Sequence, residues 1–394
     1  MAAGVHGGVS MNLWVFNRDC EPLGIIPDAE SVIFKRSLCG LGDLQIVMSA
    51  QRENAGLLQP GRIVRIDGRP EMAGILTGRS ISTERGRSEL KVTGAQLKRI
   101  LKKRVIVPPT VDEDPTAYGY DRIATSPGEA VLRHYVTRHA ISPSDENRII
   151  PRLILEDAHY PMLGTDTPWQ ARWSVLTDEL EDICEWCGIG YNVDLDAANR
   201  RFIFRTLAGR DLTGKDGGLT RVTFSAGFRN VTNIQYEEDY AACSNSIYAL
   251  GAGEDENQVV RLLYADDEGS KLEDIQTGWD RSETTISVGS LSLPDEIDFE
   301  AYHYLKTNVR KVQALTATIN RHGPFAYRRD WDLGDIVTVK LTLPALGETV
   351  TMHAPITAIT EVYERDGQNP RLDVTFGSAW PTLSRTIDRR IRRI

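Results

Sequence analysis

The sequence predicts an α+β chain that is mainly β, with strand-rich ends bracketing a mixed α/β middle. Two observations predict it. Apolar residues alternate with polar ones near both ends, as at Leu90 and Val92 and again at Leu372, Val374 and Phe376; this is the period of a strand with one buried face. Apolar residues at three- and four-residue spacing gather mostly between them, around Val131–His139 and Leu176–Cys187, the period of an amphipathic helix. With 394 residues the chain has room for several domains.

From Met11 to about residue 108 the reading is strand-rich. Arg62–Ile66 follows a Pro60-Gly61 turn, and Ile75–Glu84 and Ser88–Thr93 flank Arg85-Gly86 in a hairpin pattern. Leu97, Ile100 and Leu101 then fall at helical spacing among Lys98, Arg99, Lys102, Lys103 and Arg104, which predicts a short helix with a basic outer face. Pro108-Pro109 marks a boundary. Ser126-Pro127 predicts a helix start, with serine as cap and proline in the first turn; Val131, Leu132, Tyr135, Val136 and His139 continue it.

A second helix is predicted from Ala171 to Cys187, with Leu176, Leu180, Ile183, Cys184 and Cys187 on one face and Gly188 as its stop. Strands follow at Tyr191–Leu195 and Arg201–Thr206, joined through residues 196–199. Further strands are predicted at Arg221–Phe224 and Ile247–Leu250, and a helix at Asp295–Val309. In the last eighty or so residues Val337, Val339 and Leu341 alternate with Ile336, Thr338 and Lys340. One internal echo stands out: Gly61-Arg-Ile-Val-Arg-Ile66 resembles Gly334-Asp-Ile-Val-Thr-Val339, each a glycine turn opening into a strand.

Composition excludes several classes. No run approaches the roughly 18 apolar residues of a membrane-spanning helix, and residues 1–10 lack the basic head and apolar run of a secretion signal; they read as a flexible leader. Five cysteines, an odd and sparse set, do not make a disulfide framework. A net charge of −9 argues against broad nucleic-acid affinity. The charge is segregated: Arg18–Arg104 carries 16 basic and 10 acidic residues, whereas Tyr236–Glu300 carries 17 acidic and 3 basic. The chain ends in a cluster of Arg385, Arg389, Arg390, Arg392 and Arg393. Such patches are either solvated faces or complementary contact surfaces.

Motifs for catalysis are weak. Gly209-Arg-Asp-Leu-Thr-Gly214-Lys215 matches the start of a phosphate-binding loop, but Asp216 stands where a magnesium-binding Ser or Thr belongs. Gly217-Gly218 would block the helix that such a loop needs, so the string reads as a polar turn. Cys184-Glu-Trp-Cys187 has redox or zinc spacing, yet it lies near the C-terminal end of a helix, on the apolar face, with no second ligand pair. It reads as two buried, inert thiols. His134 and His139, five apart on a helix, are expected not to share a face. Carboxylates are abundant but no motif anchors a glycosidase pair. Trp14, Trp169, Trp173, Trp186, Trp279, Trp331 and Trp380 are scattered, as core or interface residues are. No catalytic, cofactor-binding or metal-binding residue is assigned, and no cofactor is expected.

Taken in order, these segments resemble the tail-hub proteins of siphophages, also called tail-associated or minor tail proteins. The resemblance begins with Asn12–Phe16, Gly24-Ile-Ile26, Ser31–Arg36, Gly40-Leu-Gly-Asp-Leu-Gln-Ile46 and Asn54-Ala-Gly-Leu-Leu58. It continues with the glycine turn at Gly61, Gly74-Ile-Leu-Thr77, Leu90-Lys-Val-Thr-Gly94, Leu97 and Lys102-Lys-Arg104. Beyond these, Trp173–Ile189 with Tyr191–Phe204, Asn245–Gly251, Trp331–Val337 and Val374-Thr-Phe-Gly377 extend it over nearly the whole chain.

The resemblance implies two tail-tube-like β-barrel domains with α/β insertion modules, assembled as a homotrimeric ring. On that reading residues 1–10 are the leader, 11–108 the first barrel and 109–220 an α/β module. Residues 221–262 and 312–394 form the second barrel, with 263–311 an acidic insertion carrying a helix. It implies a structural baseplate hub at the distal end of the tail, joining the sixfold tube to the threefold tip and closing or gating the DNA channel. Implied partners are the distal tail protein, the tail tube protein, the tape-measure protein, and tail fibre or receptor-binding proteins. The place implied is the virion tail tip, after synthesis in the host cytoplasm, with viral DNA passing through without sequence-specific binding. Many relatives carry a C-terminal hydrolase or fibre extension; the sequence ends at Ile394, just past the second barrel, which points away from a lysin role. The rival readings are a cell-wall-degrading enzyme, a host-surface carbohydrate-binding tail protein, and the hub of a contractile device.

Overall fold

The computed structural model describes residues 11–66, 68–84, 86–110, 113, 119–215, 221–267, 269–289, 291–343, 347–364 and 370–377. The leader, the Asp216–Gly218 segment, Trp380 and the C-terminal arginines lie outside them. The described residues form two compact units: one comprises residues 11–234 and 316–377, the other Gln235–Leu315.

The first unit opens with seven strands: β1 (Leu13–Phe16), β2 (Pro22–Ile26), β3 (Ser31–Ser37), β4 (Asp43–Ser49), β5 (Ile63–Ile66), β6 (Ala73–Glu84) and β7 (Arg87–Gln96). Their alternation buries one face. Leu13, Val15, Val32, Phe34, Leu44, Ile46, Met48, Leu90 and Val92 close into one core, each side chain contributing about 1.5–3 kcal/mol by leaving water. The short helix expected after β7 is present as a 3-10 helix, Leu97–Lys103. Its Lys98 is no part of an outer face. It is fully buried, because a 3-10 helix sets every third side chain in line and turns Lys98 inward beside Leu97 and Leu101.

The α/β module holds β8 (Asp121–Pro127), helix α1 (Gly128–Val136), β9 (Leu153–Leu155), β10 (Asp166–Ala171), α2 (Leu176–Cys187), β11 (Gly190–Asp196) and β12 (Arg201–Leu207). Ser126 does not cap α1: both Ser126 and Pro127 belong to β8, and the Ser126 hydroxyl donates to the Ala124 carbonyl. Residue 171 likewise belongs to β10, so α2 starts five residues later than the spacing suggests. Gly188 ends α2 in the left-handed conformation, φ +69. The inner faces of both helices meet β11 and β12 in a second core that includes Tyr135, Leu180, Ile183, Cys184, Tyr191 and Phe204.

Next come β13 (Thr223–Ser225) and β14 (Val231–Asp239); β14 runs from the first unit into the second. The second unit holds β15 (Ser246–Leu250), β16 (Val260–Ala265), β17 (Lys271–Leu272) and β18 (Glu283–Ser287), ordered β17-β16-β15-β18. Helix α3 (Pro294–Asn308) lays Ile297, Ala301 and Leu305 on Ile247, Ala249, Leu263 and Ala265. Pro294 in its first turn, followed by Asp295 and Glu296, is a good helix start. The chain returns through β19 (Val312–Ile319) and closes with β20 (Ile336–Leu343), β21 (Glu348–Glu364) and β22 (Arg371–Gly377).

Both strand-rich regions join one 13-stranded sheet with the path β14-β19-β22-β21-β3-β4-β7-β6-β5-β1-β2; β20 pairs with β21 and β13 with β20. Among the described residues the path has free ends, and neither strand-rich region closes on itself. Length explains the merger: the 17-residue β21 pairs β20 with its first half, then β22 and β3 with its second.

The echo between Gly61 and Gly334 is structural. The order β3-β4-β7-β6-β5-β1 recurs as β14-β19-β22-β21-β20-β13. Gly61 and Gly334 sit at φ +86 and +93, each two residues before its strand. The Gly61 amide donates to the Leu76 carbonyl at 2.8 Å and the Leu76 amide to Arg62 at 2.9 Å. The Gly334 amide donates to Ile356 at 2.8 Å and the Ile356 amide to Asp335 at 2.9 Å. A bulge follows each, between Leu76 and Gly78 and between Ile356 and Ala358. There Thr77 Oγ1 reaches the Thr93 carbonyl at 3.3 Å and Thr357 Oγ1 the Thr375 carbonyl at 3.4 Å. The outer strand differs, since β1 lies antiparallel on β5 whereas β13 lies parallel to β20.

Candidate functional site

The tempting motifs resolve into structural parts. Gly209 and Arg210 lie against the turn at Gly334: a side chain at Gly209 would meet the Gly334 carbonyl oxygen at 1.8 Å. The Arg210 guanidinium grips Asp335 at 2.6 Å, and Asp211 forms a β-bridge with Ile336. Residues 216–220, where the helix of such a loop would start, lie outside the described residues. Cys184 and Cys187 are buried, and burial, with Cys39 alongside, pushes the Cys184 thiol well above its ordinary pKa. Neither property suits a redox thiol or a zinc ligand. Among the described residues, no group of three His, Cys, Asp or Glu side chains could hold a metal ion.

The histidine expectation is overturned. His134 Nε2 and His139 Nε2 reach the two oxygens of one carboxylate, Asp121, at 2.8 and 2.7 Å. The cause is local: α1 runs into a π-helical turn, Thr137–Ile141, with the Ser142 amide donating to the Thr137 carbonyl. That wider turn brings residues five apart onto one side. Tyr135 donates to the Asp121 carbonyl at 2.9 Å, and Arg138 stands 3.5 Å from the carboxylate. Burial works to raise the Asp121 pKa, but the two histidines and Arg138 outweigh it and hold it at about 2. Burial lowers the pKa of His139 despite Asp121. Its Nδ1 is buried and has no hydrogen-bond partner among the described residues. A neutral imidazole that turns its free nitrogen into the core braces α1 on β8 and is poorly placed for proton transfer to a substrate.

Three other buried polar groups share this character. Glu129 receives the amides of His159 and Leu163 at 3.1 and 3.0 Å, which keeps its pKa low although burial works to raise it. Lys98 donates to the carbonyls of Ser37 at 2.8 Å and Tyr191 at 3.1 Å and lies 4.4 Å from the Tyr191 ring centre. Burial lowers its pKa to about 8. Glu361, 1% exposed, takes Arg69 at 2.8 Å and the Tyr327 hydroxyl at 2.9 Å, with Tyr363 and Arg328 beside it. Arg36 pairs with Asp332 on the same side. These contacts bind β3 and the β5–β6 region to the final strands. Sequence alone marked none of these groups as a buried brace; the pairing of β3 with β21 brings Arg36 to Tyr327 and Asp332.

The tryptophans divide between core and surface. Trp331 is fully buried with its indole N–H on the Phe325 carbonyl, and Trp169 donates to Glu179. Trp14 and Trp186 pack on the core of the α/β module, whereas Trp173 and Trp279 are exposed. The acidic stretch falls largely in the second unit. There the Lys311 ammonium and the groups around it hold Glu238 at about 2. Among the described residues, 78–84 of β6 pair on one side only, with β7, and Ile81 there is exposed. Chemically, the described residues offer braces and edges.

This architecture is that of phage tail proteins. A tail protein from Neisseria meningitidis MC58 aligns over 94% of this chain and 97% of its own, at 12% identity and a TM-score of 0.54. The 43 kDa tail protein of prophage MuSo2 from Shewanella oneidensis aligns over 93% and 97%, at 10% identity and a TM-score of 0.55. Prophage tail protein gp18 from Listeria monocytogenes EGD-e aligns over 97% and 99%, at 10% identity and a TM-score of 0.52. At such identities the likeness is one of fold. The chain belongs to the siphovirus ReqiPepy6 Gp37-like protein family, whose model matches residues 12–378. No curated protein matches it.

Proposed function

We propose that this chain is a structural baseplate hub: a homotrimer at the distal end of the tail that joins the sixfold tube to the threefold tip and gates the DNA channel. The observation that carries the reading is the duplicated strand order within one chain. A protein with two similar β units presents six similar units as a trimer, so a threefold particle can meet a sixfold ring. Each half of the merged sheet then serves as one tube-like unit. The α/β module and the second unit are decorations of those halves. The partners are the distal tail protein, the tail tube and tape-measure proteins, and fibre or receptor-binding proteins. The place is the virion tail tip.

The role is structural and not enzymatic. Support comes from the described polar clusters, which are buried and tied mostly to the fold's own groups, and from the tail-protein fold itself. The acidic stretch between Tyr236 and Glu300 lines the lumen on this reading, where carboxylates repel the phosphates of passing DNA. The test is the mass of the purified chain in solution with images of the particle. Three copies in a ring that binds the distal tail protein are expected. A chain that stays monomeric at every concentration and ignores that partner overturns the reading, and cryo-EM carboxylates on the ring's outer face overturn the lumen assignment.

A further inference from the structure

The duplicated sheet contains a junction that the chain uses once although it carries the parts for it twice. Within the chain, β3 lies antiparallel on the second half of β21, from Ala358 opposite Ser37 to Glu364 opposite Ser31. In the repeat, β3 corresponds to β14 and β21 to β6. The shared bulge fixes the register. Arg79 faces Val92 as Ile359 faces Val374, and Ile81 faces Leu90 as Glu361 faces Leu372. Residues 78–84 of β6 are therefore the counterparts of 358–364 of β21.

The two stretches differ in what covers them. Residues 358–364 have β22 on one side and β3 on the other, whereas among the described residues 78–84 have β7 alone. Glu361 is accordingly 1% exposed and its counterpart Ile81 is 62% exposed. β14, the counterpart of β3, ends the path of the sheet, with β19 on one side only. An unpaired row of amides and carbonyls beside an exposed isoleucine is a template for another strand.

We propose that β14 of one copy adds antiparallel to residues 78–84 of β6 in the next copy, reproducing between chains the β3–β21 junction present within each. The occupant is a second copy of this chain because the chain's own repeat supplies the matching strand. Donor and acceptor are different surfaces, so the contact is head to tail, and it closes into a ring when the rotation per copy allows. The count of three rests on the hub reading above; the junction then occurs six times, three within chains and three between them. Ile81 loses its exposure at each interchain junction.

The test uses the full chain. Ser80→Cys on β6 and Gln235→Cys on β14 are made separately, mixed, and treated with a short bis-maleimide, with the unsubstituted chain setting the background from Cys39 and Cys243. A crosslinked pair is expected only in the mixture. A pair formed by Ser80→Cys alone overturns the head-to-tail junction, and so does the absence of any pair in the mixture. Ile81→Lys places a charge on the open edge without touching the core. It should keep the far-UV circular dichroism of the parent, and so the fold, while the solution mass falls from three copies to one. A three-copy particle that keeps its mass with Ile81→Lys and yields no mixed crosslink overturns the junction and leaves the hub reading standing. A parent chain that is a monomer throughout overturns both.

Discussion

His139 Nε2 lies 2.7 Å from Asp121 Oδ2, inside the module that α1 and α2 cover. Both partners have depressed pKa values in the folded chain, so both destabilise it on acidification. Below about pH 6.5 the unfolded chain protonates His139's imidazole while the folded chain resists, because burial keeps the ring neutral. Asp121, held at about 2 against an ordinary 3.8, contributes stability above pH 4 that is lost as pH falls towards 2; the shift amounts to roughly 2 kcal/mol. Thermal melting followed from pH 7 to pH 2 should therefore fall in two steps. His139→Gln should flatten the upper step. A single step unchanged by that substitution would refute the assignment.

Glu361 gathers two arginines and two tyrosines in a nearly water-free place. Removing it leaves Arg69 and Arg328 without their buried counter-charge. Glu361→Ala is expected to cost about 3–5 kcal/mol, read as a lower midpoint in urea. Asp373→Ala, on a more exposed ion pair with Arg371, should cost under about 1 kcal/mol from that pair.

Lys98 is held by main-chain carbonyls on both sides of a junction between β3 and β11. Lys98→Ala leaves a cavity and unsatisfied carbonyls, and a loss of about 3 kcal/mol is expected. Lys98→Met fills the space but donates nothing, so it should fall between the parent and the alanine variant. Denaturation midpoints in that order check the claim; equal values for Met and the parent would sink it.

Gly209 and Gly56 make a contrast in one substitution. A Cβ at Gly209 meets main-chain atoms of Gly334 and Asp335, whereas one at Gly56 meets nothing within 4 Å. Gly209→Ala should destabilise the chain by about 3 kcal/mol through overpacking against backbone, while Gly56→Ala should be close to neutral. Melting temperatures measured side by side decide it.

The cysteines supply a chemical test. Cys20, Cys184 and Cys187 are buried, and burial raises the thiol pKa of Cys20 to about 11 and that of Cys184 well above its ordinary value. At pH 8 these three should resist a maleimide until the chain is denatured. Zinc should not bind stoichiometrically at Cys184 and Cys187. Rapid labelling of the native pair, or one tightly held zinc per chain, would contradict the inert reading.

The sequence alone determined the periodic elements. β11, β12, α3, β20 and β22 lie where alternation or helical spacing put them, because a half-buried strand or helix writes its period into its own residues. It also disclosed the Gly61–Gly334 echo, since a left-handed turn beside a close backbone approach demands glycine twice. Tertiary structure decided the rest. The start of α1 went to β8 because pairing of β8 with β10 outweighed a favourable cap. Lys98 was turned inward by a 3-10 helix and the two histidines were brought to Asp121 by a π-helical turn, pitches that no spacing rule records. The union of the two strand-rich regions lay in which edge β3 meets, and hydrogen bonds between distant strands carry no signature in the residues that make them.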